Sequence, residues 1–125
     1  MESSTLRGRS ILVVEDEPVI ALDLTQAFER VGAQVIMSTT LHDAMVLVED
    51  ESLSGAVLDH ALKDGDSSPL CERLKDRDIP FLIYSGLSKL EGPCAAGEHI
   101  AKPQHPDMLV SMLGDLLSNS ARPGQ

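Results

Sequence analysis

Short apolar runs rich in β-branched residues alternate along this chain with longer segments whose apolar residues recur at helical spacing. The runs lie at residues 11–14, 34–37, 56–58, 79–84 and 99–101. A short, continuously apolar run is typical of a strand that is buried on both faces. Because strands alternate with helices, we expect an α/β fold with a doubly wound, five-stranded parallel sheet, helices on both faces and right-handed crossovers.

Capping and turn residues support this interpretation of the segments between the runs. Pro18 can open a first helix and Gly32 can end it. Thr40, with Asp43 three residues later, resembles a capping box at the start of a second helix. Residues 86–97 contain three glycines and one proline, so the fourth helix is expected to be short or absent.

The chain of 125 residues suits one domain with a single core. Its two ends are polar and lack any apolar periodicity. We therefore expect a disordered leader at residues 1–9, a folded domain at residues 10–118 and a flexible tail at residues 119–125.

Charge and hydropathy restrict the partners and the location. The formal net charge is −10, whereas nucleic acid and anionic membranes attract clustered Lys and Arg, so both partners are excluded. No apolar run approaches the roughly 18 residues of a membrane span. The early run at 11–14 leads directly into three acidic residues, which does not suit a signal peptide. We expect a cytoplasmic protein in which Cys71 and Cys94 are free thiols, because the cytosol is reducing.

Polar residues follow four of the predicted strands. Glu15 and Asp16 follow the first, Asp59 follows the third, Ser85 ends the fourth and Lys102 follows the fifth. The carboxyl ends of parallel strands share one edge of the sheet, where such folds bind their ligands. Three carboxylates there would repel one another, and a hard cation such as Mg²⁺ would offset that repulsion. The lysine and the hydroxyl would suit a phosphoryl group, with Asp59 as a carboxylate nucleophile.

These residues and their neighbours closely resemble the receiver domains of response regulators in two-component signalling, the CheY-like domains. The matching segments are 11–18, 57–59, 83–86 and 102–103, and the resemblance covers about residues 10–118. It implies a flavodoxin-like sheet with strand order 2-1-3-4-5. It also implies a single-domain phosphorelay protein that takes a phosphoryl group from a sensor histidine kinase or a histidine phosphotransfer protein and then switches its binding to an unknown downstream protein. Such a domain is no enzyme beyond promoting its own phosphorylation and slow dephosphorylation.

The functional residues of the family carry over position by position. By this resemblance Asp59 is the phospho-acceptor, Ser85 is the switch hydroxyl and Lys102 contacts the phosphoryl group. The implied Mg²⁺ ligands are Glu15, Asp16, Asp59 and the backbone carbonyl of Ala61. The peptide bond between Lys102 and Pro103 is implied to be cis.

Two features depart from the usual receiver pattern. The aromatic residue that usually lies three positions before the lysine is replaced by His99. The spacing of 17 residues from Ser85 to Lys102 is also short for the family. Both features resemble an alphaproteobacterial variant subfamily with a Phe-Ala-Thr-Gly type motif, to which residues 83–86 are a partial match. The usual switch between hydroxyl and aromatic side chain is therefore not expected in its ordinary form.

Other functions remain as alternatives. A phosphohydrolase with an aspartyl-phosphate intermediate commonly needs a second acid two residues after the nucleophile, where this chain has Ala61. A flavin carrier needs a phosphate-binding loop after the first strand, where the acidic residues 15–17 would repel a phosphate. A degenerate receiver that acts as a protein-interaction scaffold, and a receiver fragment of a larger regulator or hybrid kinase, both stay open.

Overall fold

The computed structural model describes residues 5–86 and 92–120, without the side chain of residue 120. Its strands are β1 Ser10–Val14, β2 Gln34–Ser38, β3 Leu53–Leu58, β4 Ala61–Leu62, β5 Gly65–Asp66, β6 Phe81–Ser85 and β7 Glu98–Ala101. Its helices are α1 Pro18–Arg30, α2 Leu41–Leu47, α3 Ser68–Asp76 and α4 Pro106–Ser120, with a 3-10 helix at Gly92–Ala96. No helix in these described ranges has the length and apolar character needed to cross a membrane.

Five strands form one parallel sheet in the order β2-β1-β3-β6-β7. When the two-residue strands β4 and β5 are set aside, this is the order 2-1-3-4-5, and the predicted fold class is confirmed. The strand order reverses between β1 and β3, which is the position where open α/β sheets bind their ligands. Strands β4 and β5 form a small antiparallel hairpin directly after β3.

Each face of the sheet carries its own apolar layer, because successive side chains of a strand point to opposite faces. Ile11 and Val13 of β1 belong to one layer, whereas Leu12 and Val14 belong to the other. We call the first the α1/α4 layer, and its buried helix residues are Leu24, Ala27, Phe28, Leu109, Val110, Leu113 and Leu117. We call the second the α2/α3 layer, and it includes Ala44, Leu70, Cys71, Leu74 and Cys94.

The segment before β1 is ordered from residue 5 onward, so the predicted disordered leader is wrong for residues 5–9. Leu6 is 1% exposed and belongs to the α1/α4 layer. The Gly8 N–H donates to the Gly32 carbonyl at 2.8 Å, and Arg9 accepts from the Gln34 N–H at 2.8 Å. One buried leucine and this backbone pairing hold a segment whose composition is otherwise polar. Residues 1–4 and 121–125 lie outside the described ranges, and α4 ends at Ser120, two residues beyond the predicted domain end.

The connection from β6 to β7 is short. Its described part contains the 3-10 helix Gly92–Ala96 in place of an α-helix, in agreement with the prediction of a short or absent fourth helix, and residues 87–91 lie outside the described ranges. Gly97 follows the 3-10 helix, and a Cβ atom there would collide with the ring and carbonyl of Phe81. The close approach of this connection to β6 therefore requires a residue without a side chain.

The prediction of two free thiols is wrong. Cys71 of α3 and Cys94 of the 3-10 helix form a disulfide, with Cα atoms 5.0 Å apart, and both residues are fully buried. The two positions are 23 residues apart in the sequence. Their proximity depends on how the 3-10 helix packs against α3, which no local sequence pattern reveals.

Candidate functional site

The acidic residues lie at the switch point of the sheet because β1 and β3 are neighbours in register. Val14 and Leu58, the last residues of these strands, are paired, and the Asp59 N–H donates to the Val14 carbonyl at 2.9 Å. Glu15 and Asp59, the residues that follow, therefore leave the two strands at the same edge of the sheet, side by side. Carboxylate oxygens of Glu15, Asp16 and Asp59 all lie within 4.8 Å of one another. The structure thus brings together the three acidic residues that the sequence placed at this edge.

Lys102 follows β7 and reaches across to the acidic cluster. Its Nζ lies 3.1 Å from Glu15 Oε1 and 3.2 Å from Asp59 Oδ2. The Lys102 N–H donates to the Ser85 carbonyl at 3.0 Å, which fixes where the side chain starts. The peptide bond between Lys102 and Pro103 is cis, as the resemblance implied. One ammonium group therefore bridges carboxylates from two different strand ends.

Backbone amides orient the other carboxylate oxygens. Glu15 Oε2 accepts from the Glu17 N–H at 3.1 Å, and Asp16 Oδ2 accepts from the Lys63 N–H at 3.1 Å. Asp59 Oδ1 accepts a longer bond of 3.3 Å from the Ala61 N–H. The loop around the β4–β5 hairpin thus supplies donors to both aspartates. Each of the three carboxylates therefore accepts a hydrogen bond from an uncharged backbone amide, in addition to any contact with Lys102.

Burial and charge act in opposite directions on this cluster. The side chains of Glu15 and Asp59 are 2% and 12% exposed. Burial raises the pKa of Glu15, and the Asp59 charge raises it further, while the hydrogen bonds from Lys102 and the Glu17 amide offset only part of this. Burial works against the charge of Lys102, but the bonds and charges of Glu15 and Asp59 outweigh it and raise its pKa. The ammonium therefore remains charged beside the acidic groups.

The donor set fits a hard divalent cation. Three carboxylates face one ammonium group here, so negative charge remains in excess within the described part of the site. Oxygen ligands of this type suit Mg²⁺, Ca²⁺ or Mn²⁺, whereas zinc sites usually contain His or Cys. Glu15, Asp16 and Asp59 form an acidic cluster that could hold a metal ion.

Comparisons with known proteins agree with this geometry. No family model matches the chain. A crystal structure of a CheY-like response regulator receiver domain protein from Methanospirillum hungatei JF-1 superposes with a TM-score of 0.83, at 26% identity, covering 94% of this chain and 99% of that one. The fold is that of a CheY-like response-regulator receiver domain.

Curated proteins that are similar to this chain are regulatory proteins. The chain is 24% identical to the photosynthetic apparatus regulatory protein RegA of Rhodobacter capsulatus, over 84% of this chain and 61% of RegA. It is 28% identical to the phosphate regulon transcriptional regulatory protein PhoB of Pseudomonas aeruginosa, over 88% of this chain and 52% of PhoB. The chain spans about half the length of the curated relatives it matches.

Ser85, the expected switch hydroxyl, and His99, which takes the place of the usual aromatic residue, lie on the neighbouring strands β6 and β7. Ser85 is buried at the end of β6 and pairs with Ala101 of β7. His99 is half-buried and pairs with Ile83, and its Nε2 is buried without a hydrogen bond among the described residues. The structure therefore places Ser85 at the same sheet edge as the acidic cluster. The variant motif and a role for His99 stay predictions.

Sequence reasoning missed one residue beside this site, Tyr84. Its Oη accepts from the Gln104 N–H at 2.8 Å and lies 3.0 Å from the Gln104 carbonyl, to which it donates. The Lys102 Nζ lies 5.5 Å from the centre of the Tyr84 ring. The only sequence signal was an aromatic residue directly before Ser85 in a chain that has one tyrosine and no tryptophan.

Proposed function

We propose that this receiver domain accepts a phosphoryl group on Asp59 from a phosphohistidine of a sensor histidine kinase or a histidine phosphotransfer protein. The observation that supports this best is the Lys102 ammonium, which lies 3.1 Å from Glu15 and 3.2 Å from Asp59. A lysine held at the nucleophile is positioned to pair with a phosphoryl oxygen. We propose Mg²⁺ as the ion of the acidic cluster, with Glu15, Asp16, Asp59 and the Ala61 carbonyl as its ligands.

The reaction would proceed by displacement at phosphorus. An Asp59 carboxylate oxygen attacks the phosphorus, the bond between phosphorus and the histidine nitrogen breaks, and the imidazole leaves and takes up a proton. The product on this chain is an acyl phosphate. Lys102 would then pair with one phosphoryl oxygen, and the Ser85 hydroxyl would donate to another. When bound, Mg²⁺ would spread the negative charge of the phosphoryl oxygens.

The proposed output is a change in binding to a downstream protein in the cytoplasm. The net charge of −10 disfavours nucleic acid and anionic membrane as direct partners of this domain. The protein would act either as a single-domain response regulator or as the receiver part of a longer regulator.

A direct test is to incubate the protein with phosphoramidate and Mg²⁺ and to measure its intact mass. We expect the wild type to gain one phosphoryl group, and Asp59→Asn to gain none, because the amide is not a nucleophile of this kind. Chelation of Mg²⁺ should prevent labelling. Asp115→Asn, at an exposed position of α4, is the matched control and should be labelled like the wild type.

Two outcomes would contradict the proposal. Labelling that persists in Asp59→Asn would mean that another residue accepts the phosphoryl group. A wild type that binds a histidine kinase but takes up no phosphate would favour the degenerate receiver that acts as a scaffold.

The acyl phosphate is expected to be long-lived. Hydrolysis needs a water molecule held in line with the phosphorus, and a polar side chain two residues after the phospho-acceptor could hold it. Here that residue is Ala61, which is exposed and has no polar side chain. A side chain two residues after the switch hydroxyl could also hold this water; that position is the apolar Leu87, which lies outside the described residues. We expect Ala61→Asn to lose phosphate faster than the wild type after the donor is removed, and equal decay of the two would contradict this argument.

A further inference from the structure

Tyr84 is the buried aromatic residue next to Ser85 on β6. It is 5% exposed and belongs to the α1/α4 layer. Buried tyrosine hydroxyls need a polar partner, and this one has two on a single residue, the N–H and the carbonyl of Gln104. Both partners are backbone groups. Tyr84 therefore fixes the path of the main chain at Gln104, whatever side chain that position carries.

The segment fixed in this way begins with Lys102. The Lys102 N–H donates to the Ser85 carbonyl at 3.0 Å. Two residues later, the Gln104 N–H donates to the Tyr84 hydroxyl at 2.8 Å, and that hydroxyl donates to the Gln104 carbonyl at 3.0 Å. Adjacent residues of β6 thus hold both ends of the three residues 102–104. The remainder of the connection leads to α4, which begins at Pro106. Lys102 therefore projects from a segment that is anchored at each end.

The ring of Tyr84 also contacts the lysine side chain. The Lys102 Nζ lies 5.5 Å from the ring centre, within the range of a cation–π interaction. A lysine has a long, flexible stem, so an ammonium group is precise only where its stem and backbone are both held. The Tyr84 ring lies beside the ammonium end of this stem, and the Tyr84 hydroxyl holds the main chain two residues further on, at Gln104.

We propose that Tyr84 is a positioning residue that aims Lys102 at the phosphoryl group on Asp59. This inference rests on the proposed function, and it adds a residue on β6 to the phosphoryl-binding apparatus. Tyr84 touches neither the phosphoryl group nor the acidic cluster. It acts through the backbone of residues 102–104 and through the side chain of Lys102.

The first test measures the anchor itself and needs no phosphorylation. Amide hydrogen exchange at Gln104 should be slow in the wild type and about tenfold faster in Tyr84→Phe, because the loss of one hydrogen bond to a protected amide has about this effect. Tyr84→Phe keeps the ring, so the layer remains packed. Equal exchange at Gln104 in both proteins would overturn the inference.

The second test asks whether Tyr84 acts through Lys102. In phosphoramidate labelling, Tyr84→Phe should lower the maximal rate by about three- to tenfold, the effect of one or two hydrogen bonds, and leave the Mg²⁺ dissociation constant unchanged. Lys102→Ala should lower the rate further, and adding Tyr84→Phe to Lys102→Ala should then change nothing. Val110→Ala, which removes buried volume from the same layer, controls for general destabilisation and should label at the wild-type rate.

The outcomes separate this inference from the proposed function. If the losses from Tyr84→Phe and Lys102→Ala multiply, Tyr84 does not act through the lysine and the inference is wrong. If the wild type takes up no phosphate, the proposed function fails, and the position of Lys102 is measured by NMR instead. The Tyr84 ring should shift the Lys102 Hε protons upfield, and no change of that shift in Tyr84→Leu would overturn the inference.

Discussion

The two layers that cover the sheet are built from helices of different length. The α1/α4 layer has helices of 13 and 15 residues, whereas the α2/α3 layer has helices of 7 and 9 residues and a 3-10 helix of 5. A helix shorter than about 12 residues is marginal by itself. The short elements therefore depend more on specific bonds, and the long ones more on buried apolar area.

The distribution of bonds follows this difference. In the α2/α3 layer, the Thr40 side chain accepts from the Asp43 N–H at the start of α2, and the Asp64 carboxylate accepts from the N–H groups of Leu41 and His42 at 2.8 and 3.0 Å. The disulfide then joins α3 to the 3-10 helix. In the α1/α4 layer, the N-cap residue of α1, Glu17, makes no side-chain capping bond. The α2/α3 layer is thus bonded at the start of α2 and between α3 and the 3-10 helix.

The largest expected effect comes from the disulfide. Replacing both Cys71 and Cys94 with Ala should lower the free energy of unfolding by about 3 kcal/mol, the value for a closed loop of this size. Urea denaturation of the variant and of the wild type, with and without reductant, measures it. Hydrogen exchange should increase most in α3 and the 3-10 helix, beyond the increase that the lower global stability produces in α1 and α4. An increase spread evenly over both layers would contradict the comparison.

A smaller effect is expected at the helix starts. Thr40→Ala removes the side-chain acceptor at the start of α2 and should cost about 1 kcal/mol. Glu17→Ala is the matched variant at the start of α1, where no capping bond is lost, and it should change the stability by less than about 0.5 kcal/mol. Thermal or urea denaturation of the two variants tests the pair. If Glu17→Ala lowered the free energy of unfolding more than Thr40→Ala does, α1 would depend on its N-cap residue more than α2 does, and the comparison would be wrong.

The smallest effect is pH-dependent and concerns Asp64. The bonds from the Leu41 and His42 amides hold its pKa below the ordinary value of 3.8. A carboxyl with a lowered pKa in the folded state stabilises the protein above its unfolded pKa, and this contribution is lost as the pH falls through the folded pKa. The wild type should therefore melt slightly above Asp64→Asn at neutral pH, and the difference should vanish in acid. A difference that is independent of pH would show that the charge of Asp64 plays no part.

Much of the fold and the acidic site could be predicted because their signals are local. The central strands β1, β3 and β6 are largely short apolar runs, and the pair Glu15–Asp16 and the single Asp59 follow two of them. The topology of a parallel sheet then requires these ends to meet. Lys102 was found in the same way, since it follows β7.

The features that escaped prediction depend on contacts between distant segments. The disulfide requires the 3-10 helix to pack on α3, and the order of residues 5–9 follows from burial of one leucine, Leu6, beneath α4. Tyr84 binds backbone groups of Gln104, and a backbone partner has no sequence signature. In each case the sequence shows the residue type but not the distant residue or backbone group that it contacts.

Tyr84 also has an optical consequence. It is the only tyrosine of a chain that has no tryptophan, so fluorescence excited at wavelengths that the two phenylalanines do not absorb comes from one phenol ring. That ring lies 5.5 Å from the Lys102 Nζ, and its hydroxyl is bound at Gln104. The intrinsic fluorescence of the unlabelled protein therefore reports from a single place beside the site, and every change in it reflects the surroundings of that one ring.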